Sequence, residues 1–470
     1  MIDQSTICAI STPAGMGAIA VIRLSGDKAI EICDSVFRSP IKGKTLKEQP
    51  ANTTHFGTIV DDDKIIDEIV VAVFKAHHSF TGEDIVEISC HGATYIQQQI
   101  LELLIKKGSR MALPGEFTQR AFLNGKMDLS QAEAVADLIA SQSEAARKVA
   151  LQQMRGGFSN ELVNLRNELL QFISLIELEL DFSEEDVEFA DRKQLKSIVD
   201  KISDMLSKLV KSFSLGNAIK NGIPVAIVGH TNAGKSTLLN TLLNEERALV
   251  SDIHGTTRDS IEDTINIEGI TFRFIDTAGI RTTSDEIENL GIERTYSKIK
   301  KATLVMLMLD VNDDDEKIHS AINSVKNRMD NKSQKLIVVI NKIDLLDENN
   351  ISNRFTRKEF RELTDTDVIV PISAKHNRDI EKLTTELLKT INTSALDNNE
   401  VIVTNIRHYE ALKKSHEAIQ RVVDGLESSI SGDLLAQDIR EVLYYLGEIT
   451  GNISSDEILG NIFKNFCIGK

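Results

Sequence analysis

The sequence is poor in the features that mark secreted, membrane-spanning or disordered proteins. Its 470 residues include only six prolines, which fits packed helices and sheets better than disordered linkers. No stretch approaches the roughly 20 apolar residues that span a bilayer. The opening residues, MIDQSTICAI, lack the basic start and long apolar run of a signal peptide. These absences predict a cytoplasmic protein with no membrane segment.

Cysteine and net positive charge are scarce as well. Cys8, Cys33, Cys90 and Cys467 lie far apart, and none forms a CxxC pair. This spacing excludes the usual zinc sites and argues against a disulfide framework. The formal net charge is −17, whereas a protein that grips nucleic acid across a broad surface usually needs a basic face. Any contact with RNA is therefore expected through a local patch or with a partner.

The first part of the chain, residues 1–123, alternates short apolar runs with turns. The runs Ala18–Leu24, Ile66–Phe74 and Ile85–Ser89 predict strands, and Tyr95–Lys107 predicts an amphipathic helix. This pattern predicts a small α+β domain.

The rest of the chain changes pattern twice. Residues 124–220 are rich in helix formers with apolar residues three and four apart, which predicts a helical bundle. In residues 221–390 the runs IPVAIVG, TFRFID, ATLVMLMLD, KLIVVIN and DVIVPIS alternate with helical segments, as in a parallel sheet covered on both faces. Helical periodicity returns in residues 391–470. The simplest interpretation is a multidomain α/β plus α protein, in which an α/β domain interrupts one helical domain. Two separate helical units are the alternative.

A phosphate-binding motif follows the first strand of the α/β part. Residues 229–236 read GHTNAGKS and match GxxxxGK[ST] between a predicted strand and a predicted helix. Lys235 is expected to reach the β- and γ-phosphates, and the Ser236 hydroxyl to bind Mg²⁺. His230 is expected to be an exposed filler. The nucleotide-binding residues predicted in this segment are Asn232, Ala233, Gly234, Lys235, Ser236 and Thr237.

Three shorter motifs follow, each at the end of a predicted strand. Asp276 can hold Mg²⁺ through water, and Gly279 lies near the γ-phosphate. A carboxylate at Asp344 can accept two hydrogen bonds from guanine, which adenine does not offer. Together with the P-loop, the three motifs predict GTP as the ligand. They comprise Asp276, Thr277, Ala278 and Gly279; Asn341, Lys342, Ile343 and Asp344; and Ser373, Ala374 and Lys375.

The group that activates water is not evident from these motifs. Many small GTPases carry Gln directly after DTAG, but here that position is Ile280. Arg258 and Arg281 lie near the predicted site, and neither stands out as an arginine finger. The acidic candidates for orienting water, equal by spacing alone, are Asp285, Glu286 and Glu288.

The motifs also carry a family resemblance. Asn232 in the P-loop, GTTRD at 255–259, DTAG and the terminal FCIGK together resemble the tRNA modification GTPases of the MnmE (TrmE) family. The runs SFTGED at 79–84 and PGEFTQRAFLNGK at 114–126 resemble that family as well. The resemblance covers essentially the whole chain in the same domain order. Thr231 stands where the family usually has Pro, which is expected to change loop rigidity rather than ligand chemistry.

This resemblance implies a homodimer built through the N-terminal domains, with a Ras-like G domain inserted into the helical domain. The G domains of the family pair when GTP and K⁺ are bound, and K⁺ supplies the charge of an arginine finger. Glu288 aligns with the family's water-activating glutamate. The implied K⁺ ligands are Asn232, Ser251, Ile253 and Thr256, the implied Mg²⁺ ligands are Ser236 and Thr257, and the adjoining nucleotide-binding residues are Asp252, His254 and Gly255.

The family also binds a one-carbon donor of the 5-formyltetrahydrofolate type. Arg23, Glu83, Lys126 and Lys470 match its contacting positions. Arg and Lys suit a glutamyl tail, and Glu suits the N–H edge of a pterin. Without the resemblance, all four would be interpreted as ordinary surface charges. Cys467 matches a family cysteine near this site, and it is either a catalytic thiol or a small packing residue.

The function implied is GTP hydrolysis coupled to modification of C5 of the wobble uridine in certain tRNAs. The resemblance implies a heterotetramer with the flavoprotein MnmG (GidA), and the chain has no GxGxxG after its strands to bind a flavin itself. The alternative is an RNA-binding ribosome-assembly GTPase. Such proteins with a KH module need a GxxG loop, and no two glycines here are three positions apart. A membrane-remodelling GTPase would need an insertion segment, and none stands out.

Overall fold

The described residues form two compact units, each assembled from separate stretches of chain. The first contains Met1–Ala140, Ala150–Ser203 and Lys414–Lys470, and the second contains Ser141–Val149 and Asp204–Lys413. In the part of the chain that the structure describes, no helix is long and apolar enough to cross a membrane. The structure, a computed structural model, describes residues 4–181, 192–247, 263–275, 299–330, 334–347, 355, 360, 362–364, 366–390, 400–428, 430–453, 456–464, 466, 468 and 469.

The first unit is built on a seven-stranded sheet in the order β3-β4-β5-β6-β2-β1-β7. All neighbours are antiparallel except β1 and β7. Alternate residues of the strands, such as Leu24 and Ile88, are buried in one core with Ile100 of the covering helix α2. The strands are β1 Ile7–Ile10, β2 Ile19–Ser25, β3 Phe37–Arg38, β4 Thr53–Asp61, β5 Lys64–Phe74, β6 Ile85–His91 and β7 Arg110–Met111.

Helices complete both units, and three of them include residues of each. Helix α12 packs against α4 and α6, so helices that precede the α/β segment in the sequence contact a helix that follows it. This is the arrangement expected of one interrupted helical domain. The helices are α1 Ala29–Val36, α2 Thr94–Lys106, α3 Glu116–Leu123, α4 Leu129–Ala140, α5 Glu144–Met154, α6 Gly157–Asp181, α7 Arg192–Asn221, α8 Lys235–Arg247, α9 Asp315–Lys326, α10 Ile380–Lys389, α11 Ile406–Glu427, α12 Gly432–Thr450 and α13 Asp456–Phe463.

The second unit contains a six-stranded sheet in the order β13-β12-β11-β8-β10-β9. Its strands are parallel except β9, which pairs antiparallel with β10. Leu238 of α8 is buried in the core on one face, and Ile318 of α9 in the core on the other. The near-continuous apolar strands are therefore covered on both faces, as predicted. The strands are β8 Ile223–Gly229, β9 Asp263–Ile267, β10 Ile270–Phe274, β11 Leu304–Asp310, β12 Lys335–Asn341 and β13 Val368–Pro371.

The parallel strands place the predicted motifs at one edge of the sheet. Strand β8 ends at Gly229, β11 at Asp310, β12 at Asn341 and β13 at Pro371. Because the carboxyl ends of parallel strands meet at the same edge, the loops that follow them converge there. This edge is where ligands bind in open α/β sheets.

Candidate functional site

The P-loop joins the end of β8 to the first turn of α8. The Nζ atom of Lys235 donates hydrogen bonds to the carbonyl oxygens of Gly229, at 2.8 Å, and His230, at 2.7 Å. Asn232 and Gly234 have left-handed backbone conformations, with φ of 63° and 96°. A loop of this kind before a helix N-terminus presents backbone N–H groups to an anion. His230 is exposed, as predicted.

The buried side chain of Asn341 connects the P-loop to the other motifs. Its Nδ2 atom donates to the carbonyl oxygen of Ala233 at 2.8 Å, and its Oδ1 atom accepts from the backbone N–H of Ala374 at 3.0 Å. A methyl group added to Gly234 would overlap the Asn341 amide, so this position requires glycine. Thr241 of α8 also donates to the carbonyl oxygen of Ala374, at 2.9 Å. Asn341 thus fixes the loops after β8 and β13 to each other.

Asp344 is held as an ionised acceptor at the same edge. The Ser373 hydroxyl donates to its Oδ1 at 2.5 Å, and His376 Nε2 lies 3.6 Å from its Oδ2. The hydrogen bond from Ser373 lowers the pKa of the Asp344 carboxyl, which therefore stays charged at neutral pH. A charged carboxylate can accept two hydrogen bonds from the N–H groups along one edge of a base. The side chain remains 28% exposed, so a ligand can reach it.

Lys342 reaches a partner that the motifs did not indicate. Its backbone is left-handed, and its Nζ atom lies 2.6 Å from Oδ2 of Asp310, at the end of β11. Ile343, the next residue, is buried under the loop, whereas Lys375 is exposed. Asp310 therefore joins the NKID loop to the neighbouring strand. The signal that could have identified it is its position, because it is the acidic residue that ends an apolar strand.

Other predicted residues of this site fall outside the described residues, and their roles stay predictions. This applies also to the candidate water-activating and arginine residues. The residues concerned are Ser251, Asp252, Ile253, His254, Gly255, Thr256, Thr257, Arg258, Asp276, Thr277, Ala278, Gly279, Ile280, Arg281, Asp285, Glu286 and Glu288.

A second group of predicted residues lies on the sheet of the first unit. Arg23 of β2 is directly opposite Glu87 of β6. Its Nε and Nη2 atoms donate to Glu87 Oε1 at 2.9 and 2.7 Å. The guanidinium also lies over the rings of Phe80 and Phe117, 5.8 and 5.7 Å from their centres. Arg23 is therefore oriented by an ion pair and aromatic contacts, unlike the ordinary surface charge that its sequence position alone suggests.

Glu83 lies in the loop before β6 and is equally well anchored. The Ser25 hydroxyl donates to Glu83 Oε2 at 2.7 Å, and Arg120 Nη1 lies 3.1 and 3.0 Å from its two carboxylate oxygens. Ser25 is two residues after Arg23, so both side chains leave the same face of β2. Lys126 is exposed, and its Nζ atom donates to the carbonyl oxygen of His77, at the other end of the same loop.

The end of the chain contacts the same strands. Gly469 accepts a hydrogen bond from the Ser11 hydroxyl at 3.1 Å, and Arg23 Nη1 approaches the same carbonyl oxygen at 3.5 Å. Gly469 has a φ of 94°, and a methyl group there would overlap the carbonyl oxygen of Ile10. Glycine is thus the residue that fits beside β1. Its predicted neighbours Cys467 and Lys470 lie outside the described residues.

The cysteines that the structure describes are unsuited to catalysis. Cys8, Cys33 and Cys90 are all buried. Burial raises the pKa of all three thiols, that of Cys90 to about 11. Because the thiolate is the nucleophilic form, these side chains act as small packing residues.

The sequence is closely similar to curated proteins and family profiles along its whole length. The profile described as "MnmE helical domain" matches residues 129–467, and that described as "GTP-binding protein TrmE N-terminus" matches residues 6–126. A relative from Flavobacterium johnsoniae, called "tRNA modification GTPase MnmE", is 57% identical over 473 residues, covering 100% of both chains. A relative of the same name from Bacteroides thetaiotaomicron is 55% identical over 478 residues, again covering 100% of both chains.

Similarity to solved structures is weaker. Era, in a crystal structure with MgGDPNP and nucleotides 1506–1542 of 16S ribosomal RNA, is 29% identical with a TM-score of 0.26, over 41% of this chain and 65% of that one. A GTP-binding protein from Sulfolobus solfataricus in complex with GDP is 18% identical with a TM-score of 0.25, over 48% of this chain and 66% of that one. At such TM-scores neither likeness carries an argument, and the family assignment depends on the sequence.

Proposed function

This chain belongs to the MnmE family of tRNA modification GTPases, and we propose that it hydrolyses GTP in a K⁺-dependent manner to modify C5 of the wobble uridine in certain tRNAs. It does so in the cytoplasm with the flavoprotein MnmG (GidA), in a heterotetramer that supplies the flavin. The observation that carries the GTPase part is the Asn341 side chain, which bonds both Ala233 of the P-loop and Ala374. That linkage couples phosphate binding to guanine recognition.

Each motif of the G domain has a distinct role in this proposal. Lys235 leaves the carbonyl oxygens of the P-loop and binds the β- and γ-phosphates. Asp344, kept ionised by Ser373, accepts the guanine N–H groups, while Ala374 and Lys375 line the O6 edge. These groups hold the nucleotide at the helix N-terminus, where the dipole favours its negative charge.

Two cations belong to the same site. Ser236 and Thr257 would hold Mg²⁺, and Asn232, with Ser251, Ile253 and Thr256, would hold K⁺. The ions would neutralise the charge that develops on the phosphates during hydrolysis. Asn232 suits this role because it is exposed and its backbone has a left-handed conformation. Glu288 would orient the attacking water.

The N-terminal cluster is proposed to bind a folate of the 5-formyltetrahydrofolate type. Arg23 and Glu83 present one fixed positive and one fixed negative charge on the same face of the sheet. Lys126 lies at the other end of the Glu83 loop, and Lys470 would complete the set. These charges fit the carboxylates and the N–H edge of such a molecule. The one-carbon group would supply a carbon for the uridine substituent.

The same domain is proposed to form the homodimer. Phe56 of β4 and Val70 of β5 are directly opposite each other and are 57% and 42% exposed. Larger contiguous apolar patches mark surfaces that another protein covers, and this pair is the part of the sheet proposed to belong to one. A second copy of the chain is the partner proposed for this face.

We expect KCl to accelerate GTP turnover by the purified protein about tenfold or more relative to NaCl at equal ionic strength. The physical reason is that a positive charge held at the transferring phosphate replaces the arginine finger, whose effect on rate is roughly 10³-fold or larger. The Asn232→Ala variant should lose the stimulation. Its affinity for GDP, measured by fluorescence, is the control and should change less than about threefold.

Equal turnover in both salts would contradict the K⁺ proposal and leave a GTPase that needs an external activator. The tRNA part has a separate measurement, which is nucleoside analysis of tRNA from cells that lack the protein. Loss of a C5-modified wobble uridine supports the assignment. Unchanged tRNA, combined with an accumulating ribosome precursor, would favour the ribosome-assembly alternative.

A further inference from the structure

The loop that carries Glu83 is fixed by a buried ionic network beneath it. This loop connects β5 to β6, and both its ends are held by residues of the α3 segment. The Asn124 side chain donates to the carbonyl oxygen of Thr81 at 2.8 Å, and Lys126 holds His77 at the loop's start. Arg120, in the last turn of α3, reaches the Glu83 carboxylate itself. The runs 79–84 and 114–126, which are separate in the sequence, are thus held together in the structure.

Arg120 is anchored independently of Glu83. Its Nη2 atom donates to the backbone carbonyl of Ser5 at 2.8 Å and to Glu116 Oε1 at 3.0 Å. Glu116 in turn accepts from Arg110. Burial alone would raise the pKa of Glu116, but the hydrogen bonds from Arg110, Leu113 and Arg120 outweigh it and lower that pKa. Glu116 is therefore ionised, and its charge fixes the Arg120 guanidinium from behind.

The remaining side of Arg120 is turned to Glu83. Its Nη1 atom lies 3.1 and 3.0 Å from the two oxygens of that carboxylate, while Ser25 supplies a second donor. The Arg120 side chain is only 3% exposed, whereas that of Glu83 is 20% exposed. An incoming molecule thus meets the carboxylate and not the arginine. A carboxylate held by two fixed donors keeps one orientation, so less conformational entropy is lost when a ligand binds.

We propose that Arg120 is a positioning residue, which holds the Glu83 carboxylate in the orientation that binds the N–H edge of the folate. This inference rests on the proposed folate site and adds a residue that does not itself touch the ligand. Charge-assisted hydrogen bonds of this kind are strong enough to matter, because losing one from a preorganised group weakens binding about tenfold or more.

The test is a double-mutant cycle on the full-length protein. Binding of 5-formyltetrahydrofolate is measured by isothermal titration calorimetry for the wild type, Arg120→Met, Glu83→Gln and the double variant. We expect Arg120→Met to weaken binding about tenfold to a hundredfold in the wild-type background. In the Glu83→Gln background the same change should cost less than about threefold, because there is no charged carboxylate left to orient.

Two further variants separate positioning from general stability. Arg110→Met removes the arginine that shares Glu116 and Ser5 with Arg120. It therefore measures how much folate affinity is lost when the buried network is disturbed without removing Arg120. We expect that affinity to change by less than about threefold. Ser25→Ala removes the other donor to Glu83 without altering a buried ion pair, and we expect roughly threefold to tenfold weaker binding. Arg120→Lys should recover part of the affinity. If Arg120→Met does not fold, Ser25→Ala and Arg120→Lys decide the question.

The outcomes are distinguishable. Equal losses from Arg120→Met in both backgrounds, or normal affinity in Ser25→Ala combined with a loss in Arg120→Lys as large as that expected of Arg120→Met, would overturn the positioning role and leave the folate site intact. A wild-type titration without binding would overturn the folate assignment, and this inference with it. A loss of affinity from Arg120→Met that is confined to the wild-type background supports both the positioning role and the folate site.

Discussion

Single residues in this protein act through neighbours that set their charge and orientation. Asp344 is the clearest example, because its carboxylate depends on one hydroxyl group from the loop after β13. Ser373 is fully buried, so the hydrogen bond is protected from competition with water. His376 approaches from the solvent side. The guanine binding proposed for Asp344 would therefore depend on a pair of residues on two separate loops.

Replacing Ser373 by Ala should shift the acid limit of nucleotide binding to higher pH. The Ser373 hydrogen bond lowers the pKa of Asp344, so the charged form is present above that pKa and is lost as pH falls through it. Removing the bond raises the pKa, and GDP affinity should then decline at a pH closer to neutral. Calorimetric titration with GDP from neutral pH down to about pH 3, below the ordinary aspartate pKa of roughly 3.9, measures where the affinity declines. Thr385→Ala, an exposed hydroxyl on α10, is the control, and coincident curves for all three proteins would refute the role of Ser373.

At this scale, the sequence predicts the residues of short motifs and misses their partners. Gly234 and Asn341 are evident because each occupies a fixed position within a motif. Glu87 and Arg120 are not, because they lie far along the chain from Arg23 and Glu83. Their pairing depends on strand register and on the docking of α3. Sequence spacing carries no information about either.

Secondary-structure elements of the second unit are joined by a buried ion pair. Lys326, in the last turn of α9, lies 2.6 Å from Asp367, just before β13. Asp367 also accepts from Thr364 and from the backbone N–H of Leu336, the second residue of β12. One carboxylate thus ties a helix to two strands. Because its side chain is 1% exposed, removing the lysine would leave a buried negative charge without its positive partner.

Lys326→Met should reduce the free energy of unfolding of the G domain by about 3–5 kcal/mol, the usual cost of breaking a buried pair. Burial alone would raise the pKa of Asp367, but the hydrogen bonds from Lys326 and Thr364 outweigh it, so the pKa is lowered. The stabilisation is therefore present at neutral pH and is lost as pH falls through the lowered pKa. Urea unfolding of both proteins at several pH values measures the difference. Lys382→Met, in an exposed pair on α10, is the control, and equal losses from both variants would contradict the argument.

Elements with a strong apolar period were predicted well. Strands β8 and β12 have the predicted limits, because their buried runs end sharply at polar motif residues. Strands β1, β4 and β9 were not predicted. They are short or mix polar and apolar residues, and β9 is the antiparallel edge of an otherwise parallel sheet. Pairing with a neighbour, rather than their own composition, makes them strands.

At the scale of the whole molecule, the exposed apolar pair on β4 and β5 has the most direct consequence for assembly. Phe56→Asp combined with Val70→Asp should convert the proposed dimer to a monomer, because charged side chains at a covered apolar face are desolvated without partners. We expect the dimer dissociation constant to rise about a hundredfold or more. Sedimentation equilibrium measures it. Ile41→Asp, exposed at 61% before β4, is the control, and an unchanged dimer in the double variant would exclude this face.

The helical contacts of the first unit set an order of events during translation. The apolar side of α6, with Leu165, Leu169 and Phe172, packs against α12, which lies about 250 residues further along the chain. At roughly 5–20 residues per second, the ribosome needs about 12–50 s to deliver α12. During that interval the intervening G domain can fold, whereas the apolar surface of α6 that α12 will bury stays exposed. Nascent chains of this protein should therefore depend on chaperones longest at α6, until the last helices emerge.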